Sequence, residues 1–275
     1  MLENVTKLTE LLLIEPTAED HKYSRGVTGF ITGSTRFPGA ALLGVTAAIQ
    51  SGCGYVRYLG SQRLIDYVLS VRPEVVCEDG EAHAWVIGSG VSEEDMVRLY
   101  DGASKFGSSV PMVVDAGAIS FLSRQKPLAD FVLTPHYKEA QKALEKFGDY
   151  RSLESISEDP ESAAMKLAEF TGGVVNLKAN VSVIAAAGEK PYVSEPLNTW
   201  LSTAGTGDLL AGITGALIAR HVKQIGVPDQ KRLMRIAALA LDVLSLAAEI
   251  SSRRGGVGSS DIAASIHLAA MELSK

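Results

Sequence analysis

The sequence predicts an α/β fold, a mainly parallel sheet covered by helices on both faces. Three observations carry that reading. Short valine- and isoleucine-rich runs alternate with helical segments along the whole chain. Most of these runs end in glycine or a small polar residue, as strands entering turns do. Hydrophobic residues make up 46% of the 275 residues and charged residues 21%, enough apolar material for a core on each side of a sheet.

The elements follow in order. GVTGFITGS (26–34) is a strand running into a tight turn. PGAALLGVTAAIQSG (38–52) is a helix opened by Pro38 and closed by Gly52, apolar nearly all round and so buried. YVRYLG (55–60) is strand-like, RLIDYVLSVRP (63–73) is helical up to its proline, and EVVCED (74–79) is a possible short strand. AWVIGSG (84–90) is a strand ending in glycine, and residues 92–107 form a helix with a serine cap and an acidic first turn. PMVVDAGAISFL (111–122) starts as a strand and exits at Asp115. Residues 130–148 read as strand, Thr134-Pro135 turn and helix, residues 146–160 as a surface connection, and residues 160–172 as a helix. Residues 173–193 give a strand, a polar turn and a hairpin around Ala187-Gly188-Glu189. Three helices close the chain, at 209–222, 231–255 and 259–273, the last capped by Ser259 or Ser260. Gly212 and Gly215 inside the first of these mark close approach to another element. No break in composition divides residues 1–275, which read as one domain.

Bulk properties narrow the function. The net charge is -6, and no lysine–arginine cluster of the kind that tracks a phosphate backbone occurs, which argues against nucleic-acid binding. Cys53 and Cys77 are far apart and match no metal spacing, so they read as two reduced thiols of a cytoplasmic protein. The N-terminus lacks the basic region of a signal peptide, and no apolar run approaches the length of a membrane span.

Chemistry concentrates at the strand ends, where an open parallel sheet binds its ligands. STAGTGD (202–208) carries the strongest signal. Gly205 and Gly207 allow a tight turn, and the amides of Thr206 to Leu209 would be the free donors of a helix start, able to cradle a phosphate. Asp208 is then either a helix cap or a base beside that phosphate, and spacing alone leaves both open. GSTRFPGAALLG (33–44) is either a second anion cradle or a tight turn before a buried helix. His136 and Glu139 in TPHYKE share a face at a helix start, without a third metal ligand nearby in sequence.

Taken together these segments resemble the ADP-dependent NAD(P)H-hydrate dehydratases of the ribokinase-like superfamily. The likeness spans about residues 22–270 and rests on six motifs in order, with WVIGSG, VVDAGAISFL, FVLTPHYKEAQKAL and STAGTGDLLAGITGALIA the most telling. It implies a three-layer sandwich without a fused epimerase domain. It also implies dehydration of the 6S hydrate of NADH or NADPH, with ADP as co-substrate and Mg²⁺ as cofactor, releasing AMP and phosphate. By resemblance Asp208 is the catalytic base. Ala41, Gly90 and His136 line the hydrated nucleotide. Lys178, Ala179, Asn180, Val181 and Ser182 hold the adenylate with Gly205, Thr206 and Gly207, and Glu139 lies near the phosphate or its magnesium. The resemblance further implies a homo-oligomer, tetramer or dimer, and a functional link to a separate NAD(P)H-hydrate epimerase. The chain departs from the family pattern at Ala179, Asn180, Ser202, Ala204 and Gly117. It also lacks the His-Gly and Gly-Asp pairs often found in the helix containing LDVLSLAAEI (241–250). Two other readings share the loop and Asp208: a small-molecule kinase of the same superfamily, and a catalytically silent nucleotide-binding relative.

Overall fold

The computed structural model describes residues 15–91, 110–121 and 130–275. Among these residues eight strands form one sheet: β1 (Val27–Ile31), β2 (Tyr55–Tyr58), β3 (Ala84–Ile87), β4 (Met112–Val114), β5 (Phe131–Leu133), β6 (Val174–Leu177), β7 (Val183–Ala185) and β8 (Tyr192–Val193). Their order is β2-β1-β3-β4-β5-β6-β7-β8. β1 to β6 run parallel, and β7 and β8 add an antiparallel hairpin at one edge. The order reverses between β1 and β3, so connections leave that point in opposite directions and open a crevice at the carboxyl ends.

The helices are α1 (Pro38–Gln50), α2 (Gln62–Val71), α3 (Tyr137–Lys146), α4 (Leu153–Glu158), α5 (Pro160–Thr171), α6 (Thr206–Gln224), α7 (Gln230–Arg253) and α8 (Ser259–Leu273). Two cores flank the sheet. One packs Phe30, Val86 and Ile184 under α1, α2, α6, α7 and α8. The other packs Trp85, Phe131 and Leu133 under α3, α4 and α5. Every β1 residue is buried, as a strand covered on both faces requires. The two-sided sandwich is the α/β arrangement expected from the alternation of elements.

α6 is buried from Leu209 to His221, which accounts for its nearly uncharged sequence. Its glycines make room for neighbours. A Cβ at Gly212 would fall 2.3 Å from the Gly44 carbonyl oxygen of α1, and one at Gly215 would fall 2.3 Å from Val86 of β3.

Four local expectations are corrected. Residues 146–160 are more than a connection, because Ser152 Oγ accepts from the Ser155 amide and starts α4, whose Ile156 is fully buried. EVVCED contributes only an isolated bridge from Val76 to Arg57. α8 is capped by neither Ser259 nor Ser260; Gly258 holds that position, with its amide donating to the Asp261 carboxylate. α6 begins at Thr206, three residues earlier than its apolar pattern, because Gly205 supplies the left-handed turn (φ +94°) that lets the helix start there. The helix expected over 92–107 lies outside the described residues.

Candidate active site

Four neighbouring strands deliver side chains to one point. Ser89 follows β3, Asp115 ends β4, Thr134 follows β5 and Lys178 follows β6. Asp115 is only 3% exposed. Its Oδ2 accepts from Ser89 Oγ at 2.8 Å, while its Oδ1 accepts from Thr134 Oγ1 at 2.7 Å and from Lys178 Nζ at 2.8 Å. Burial alone would raise the Asp115 carboxyl, but the ammonium and the two hydroxyls outweigh it and hold the group below its ordinary value. Burial alone would lower Lys178; Asp115 reverses that, helped by Glu139 and Asp208, so the ammonium is raised. Both groups are therefore ionised at neutral pH.

Beside this clasp lies the start of α6. Gly205 is its N-cap and offers no side chain. The Thr206 amide reaches the Thr203 carbonyl, and the Leu209 amide makes the first helical bond to the Gly205 carbonyl. The free donors are thus those of Gly207 and Asp208, a narrower set than Thr206 to Leu209. Thr206 Oγ1 ties the loop down through the Leu201 carbonyl at 2.9 Å, and Ser259 Oγ ties it through the Ala204 carbonyl. A Cβ at Gly207 would stand 3.3 Å from Lys178 Nζ, so the lysine head lies against this helix start.

Asp208 is the third residue of α6, and its carboxylate has no hydrogen-bond partner among the described residues. Burial and the charge of Asp115 push it up to about 7, against the opposing pull of Lys178. A carboxylate held near neutral pH without a structural partner is equipped to take and return a proton.

A cavity of about 450 Å³ opens at Lys178 and the start of α6; Asp208 stands one residue behind the Gly207 that lines it and is not itself part of the lining. Its polar side carries His136, Lys178, Ala179, Asn180 and Ser182, and its base carries Gly205, Thr206 and Gly207. Val181, at the tip of the turn after β6, is 36% exposed and is not part of the lining. The opposite wall is apolar, made by Leu197 and Leu201 with Leu241 and Leu244 of α7. The sequence reading missed this wall. The i, i+3 spacing of Leu241 and Leu244 was the available signal, and it does not distinguish a cavity-facing stripe from core.

A family model described as NAD(P)H-hydrate dehydratase matches residues 28–260. The chain belongs to the NAD(P)H-hydrate dehydratase family. It is 34% identical over 220 residues to the bifunctional NAD(P)H-hydrate repair enzyme Nnr of Mycobacterium tuberculosis, a match covering 74% of this chain and 43% of that one. It thus spans less than half the length of these bifunctional relatives. It is 30% identical over 222 residues to the ADP-dependent (S)-NAD(P)H-hydrate dehydratase of Neisseria meningitidis, covering 74% of this chain and 73% of that one. The ADP/ATP-dependent NAD(P)H-hydrate dehydratase of Bacillus subtilis, co-crystallised with ATP and Mg²⁺, superposes with a TM-score of 0.78 at 22% identity, over 98% of this chain and 97% of that one. The three-layer sandwich is accordingly the ribokinase-like one.

The remaining expected positions fall in two places. Ala41 and Gly90 both lie at the start of α1, Ala41 against Gly33, away from the lining of the 450 Å³ cavity. Ala41 is fully buried there, and the Gly90 backbone abuts Ala40 and Phe37. The preceding turn is closed by paired Ser34–Phe37 backbone bonds, and no side chain caps α1. His136 and Glu139 cap α3 reciprocally: His136 Nδ1 accepts from the Glu139 amide at 3.2 Å, and Glu139 Oε2 accepts from the His136 amide at 2.9 Å. Among the described residues no group of three or more His, Cys, Asp or Glu side chains could cage a metal. The single carboxylate of Glu139 still fits Mg²⁺, which commonly binds through one or two carboxylates, waters and substrate phosphates. Both cysteines are free thiols. No helix among the described residues is long and apolar enough to cross a membrane.

Proposed function

We propose that the protein dehydrates hydrated NADH or NADPH with ADP as phosphoryl donor. The observation that carries this is Asp208, pushed up to about 7 and unpartnered beside the free Gly207 and Asp208 amides. Membership of the dehydratase family supports the substrate class.

The apolar wall of Leu197, Leu201, Leu241 and Leu244 suits the flat face of an adenine. Asn180 on the other side offers hydrogen bonds to the ribose and the α-phosphate, while the Ser182 hydroxyl donates to the Ala179 carbonyl and accepts from the Ala179 amide, holding the turn in shape. The β-phosphoryl group then meets the Gly207 and Asp208 amides, aligned with the positive end of α6. Asp208 accepts the proton of the hydroxyl on C6 of the reduced ring as its oxygen attacks the β-phosphorus, and AMP departs. The ring nitrogen lone pair next expels phosphate, and loss of a C5 proton restores the dihydropyridine. Glu139 together with the phosphates would hold Mg²⁺, which would supply positive charge against the developing negative charge. A separate epimerase would supply the S epimer, and the chain would act as a dimer or tetramer.

The test is an initial-rate comparison of ADP and ATP at equal concentration on hydrated NADH and NADPH, with product analysis. ADP is expected to be faster and to yield AMP, phosphate and NAD(P)H. A clear preference for ATP overturns the choice of donor, and a stable phosphorylated product identifies a kinase.

His136→Asn separates binding from capping. Asn accepts the Glu139 amide as an N-cap should, so the melting temperature stays within about 2 °C. KM for the hydrated nucleotide is expected to rise about tenfold, the scale of one lost hydrogen bond to a charged group. Unchanged steady-state constants would remove His136 from the binding site.

A further inference from the structure

We propose that Asp115 is a positioning residue that keeps Asp208 basic by holding the Lys178 ammonium to itself. The inference rests on the reading of Asp208 as the base, and it concerns a residue that itself cannot reach a ligand. The Asp115 side chain is 5% exposed, whereas that of Lys178 is 20% exposed and faces the cavity.

The Lys178 charge acts on two carboxylates, Asp115 and Asp208, and its ammonium hydrogen-bonds the first. Its Nζ lies against Gly207, one residue from Asp208, yet it bonds Asp115 at 2.8 Å. The choice is built into the strand ends. Thr134 Oγ1 shares Oδ1 with the lysine, and Ser89 Oγ occupies Oδ2, so Asp115 is fixed from β3, β5 and β6 at once. Were Asp115 neutral, Lys178 would turn to Asp208, and an ion pair there would make a poor proton acceptor.

Among the described residues the other charges around Asp208 do not compete. α1, packed against its backbone, carries no charged residue from Pro38 to Gln50. α7 turns Leu241 and Leu244 to the cavity. Asp261 of α8 is committed to the Gly258 amide. On α3, Glu139 is committed to the His136 amide, its charge acts on Lys178, and His136 is held in the same cap. Asp115 and Lys178 are the two groups whose charges act on Asp208 directly.

The experiment titrates Asp208 without substrate. The melting-temperature difference between the wild type and Asp208→Asn is followed from pH 4 to 9, then repeated in an Asp115→Asn background. Asparagine is isosteric, its Oδ1 can still accept from Thr134 and the Ser89 hydroxyl can rotate to accept from Nδ2, so the strand ends stay tied while the charge that holds Lys178 is gone. The upper break of that curve, where the difference levels off and which reports the folded carboxyl, lies at about 7 in the wild type and is expected to fall by at least about one pH unit, the scale of a newly formed ion pair. The acid limb of the kcat profile should move with it. A break unchanged in Asp115→Asn overturns the proposal and leaves Asp115 purely structural.

Lys178→Met gives a second test, because it separates the hold on the lysine from the charge of Asp115 itself. Without the ammonium, Asp115→Asn is expected to move the break less than it does with Lys178 present. An equal fall in both backgrounds means that Asp115 acts by its own charge and overturns the proposal. The two readings fail separately. An active Asp208→Asn enzyme sinks the base assignment, whereas a fixed break with an inactive Asp208→Asn enzyme sinks only the role of Asp115.

Discussion

Asp208→Asn is expected to lower NAD(P)H recovery by at least about 10²-fold, the scale of a lost general base. Backbone amides form the phosphate cradle, and asparagine preserves the side-chain shape, so calorimetry should find ADP binding nearly unchanged. Stability is expected to move in a direction that a simple cap would not produce. The folded carboxyl titrates at about 7 against an ordinary value of 3.8, so the native state holds the proton more tightly than the unfolded chain. That preference stabilises the fold fully below about pH 4 and is lost as pH rises through 7. Asparagine has no charge to lose. The variant should therefore melt above the wild type at pH 8, with the gap closing toward pH 4. A variant that retains more than half the wild-type rate would return Asp208 to a structural role. That role has little to recommend it, since Gly205 already occupies the cap position.

Gly212→Ala is the largest expected structural loss. The new methyl would stand 2.3 Å from the Gly44 carbonyl oxygen and 2.9 Å from Ala47 Cβ, and a helix backbone cannot swing aside as a side chain can. Overpacking of this kind costs about 3 kcal/mol, which lowers the melting temperature by about 6–12 °C in a chain of this size. Turnover should fall as well, because the Asp208 carbonyl lies beside Gly44 and any shift of α1 disturbs the start of α6. Gly39→Ala is the control on α1, where a Cβ would meet nothing within 4 Å, and it should leave melting unchanged or slightly raised. Equal melting temperatures for both variants would show that α1 and α6 separate without penalty.

The fold was legible because its signals are local. Pro38 opens α1, the αL glycine Gly172 closes α5, and valine-rich runs such as VTGFI and AWVI need no distant partner to be read as strands. α4 escaped because one buried isoleucine in six residues has no periodicity. The loop at 202–208 was legible as a phosphate cradle at a helix start, but which of its amides stay free was not, because the Thr206 bond back to Thr203 exists only in the folded turn. The Asp115 clasp was beyond sequence reasoning. Its partners lie 26, 19 and 63 positions away and meet only because β3, β4, β5 and β6 are neighbours in the sheet. The strand ends could be named one by one, whereas the lateral order that joins them is a property of the folded sheet.

The reciprocal cap of α3 also determines what His136 can say to a ligand. Nδ1 receives the Glu139 amide hydrogen, so its lone pair is occupied and the ring proton of the neutral imidazole must reside on Nε2. The histidine that lines the cavity is consequently a one-way partner, able to give a hydrogen but not to receive one. A molecule seated against it must answer with an oxygen or nitrogen lone pair, as a carboxamide carbonyl or a phosphate does. A ligand turned so that an amide N–H₂ or a hydroxyl hydrogen faced the ring would meet a donor with a donor. A backbone contact made to begin a helix thus also fixes which way round a molecule can lie in the cavity.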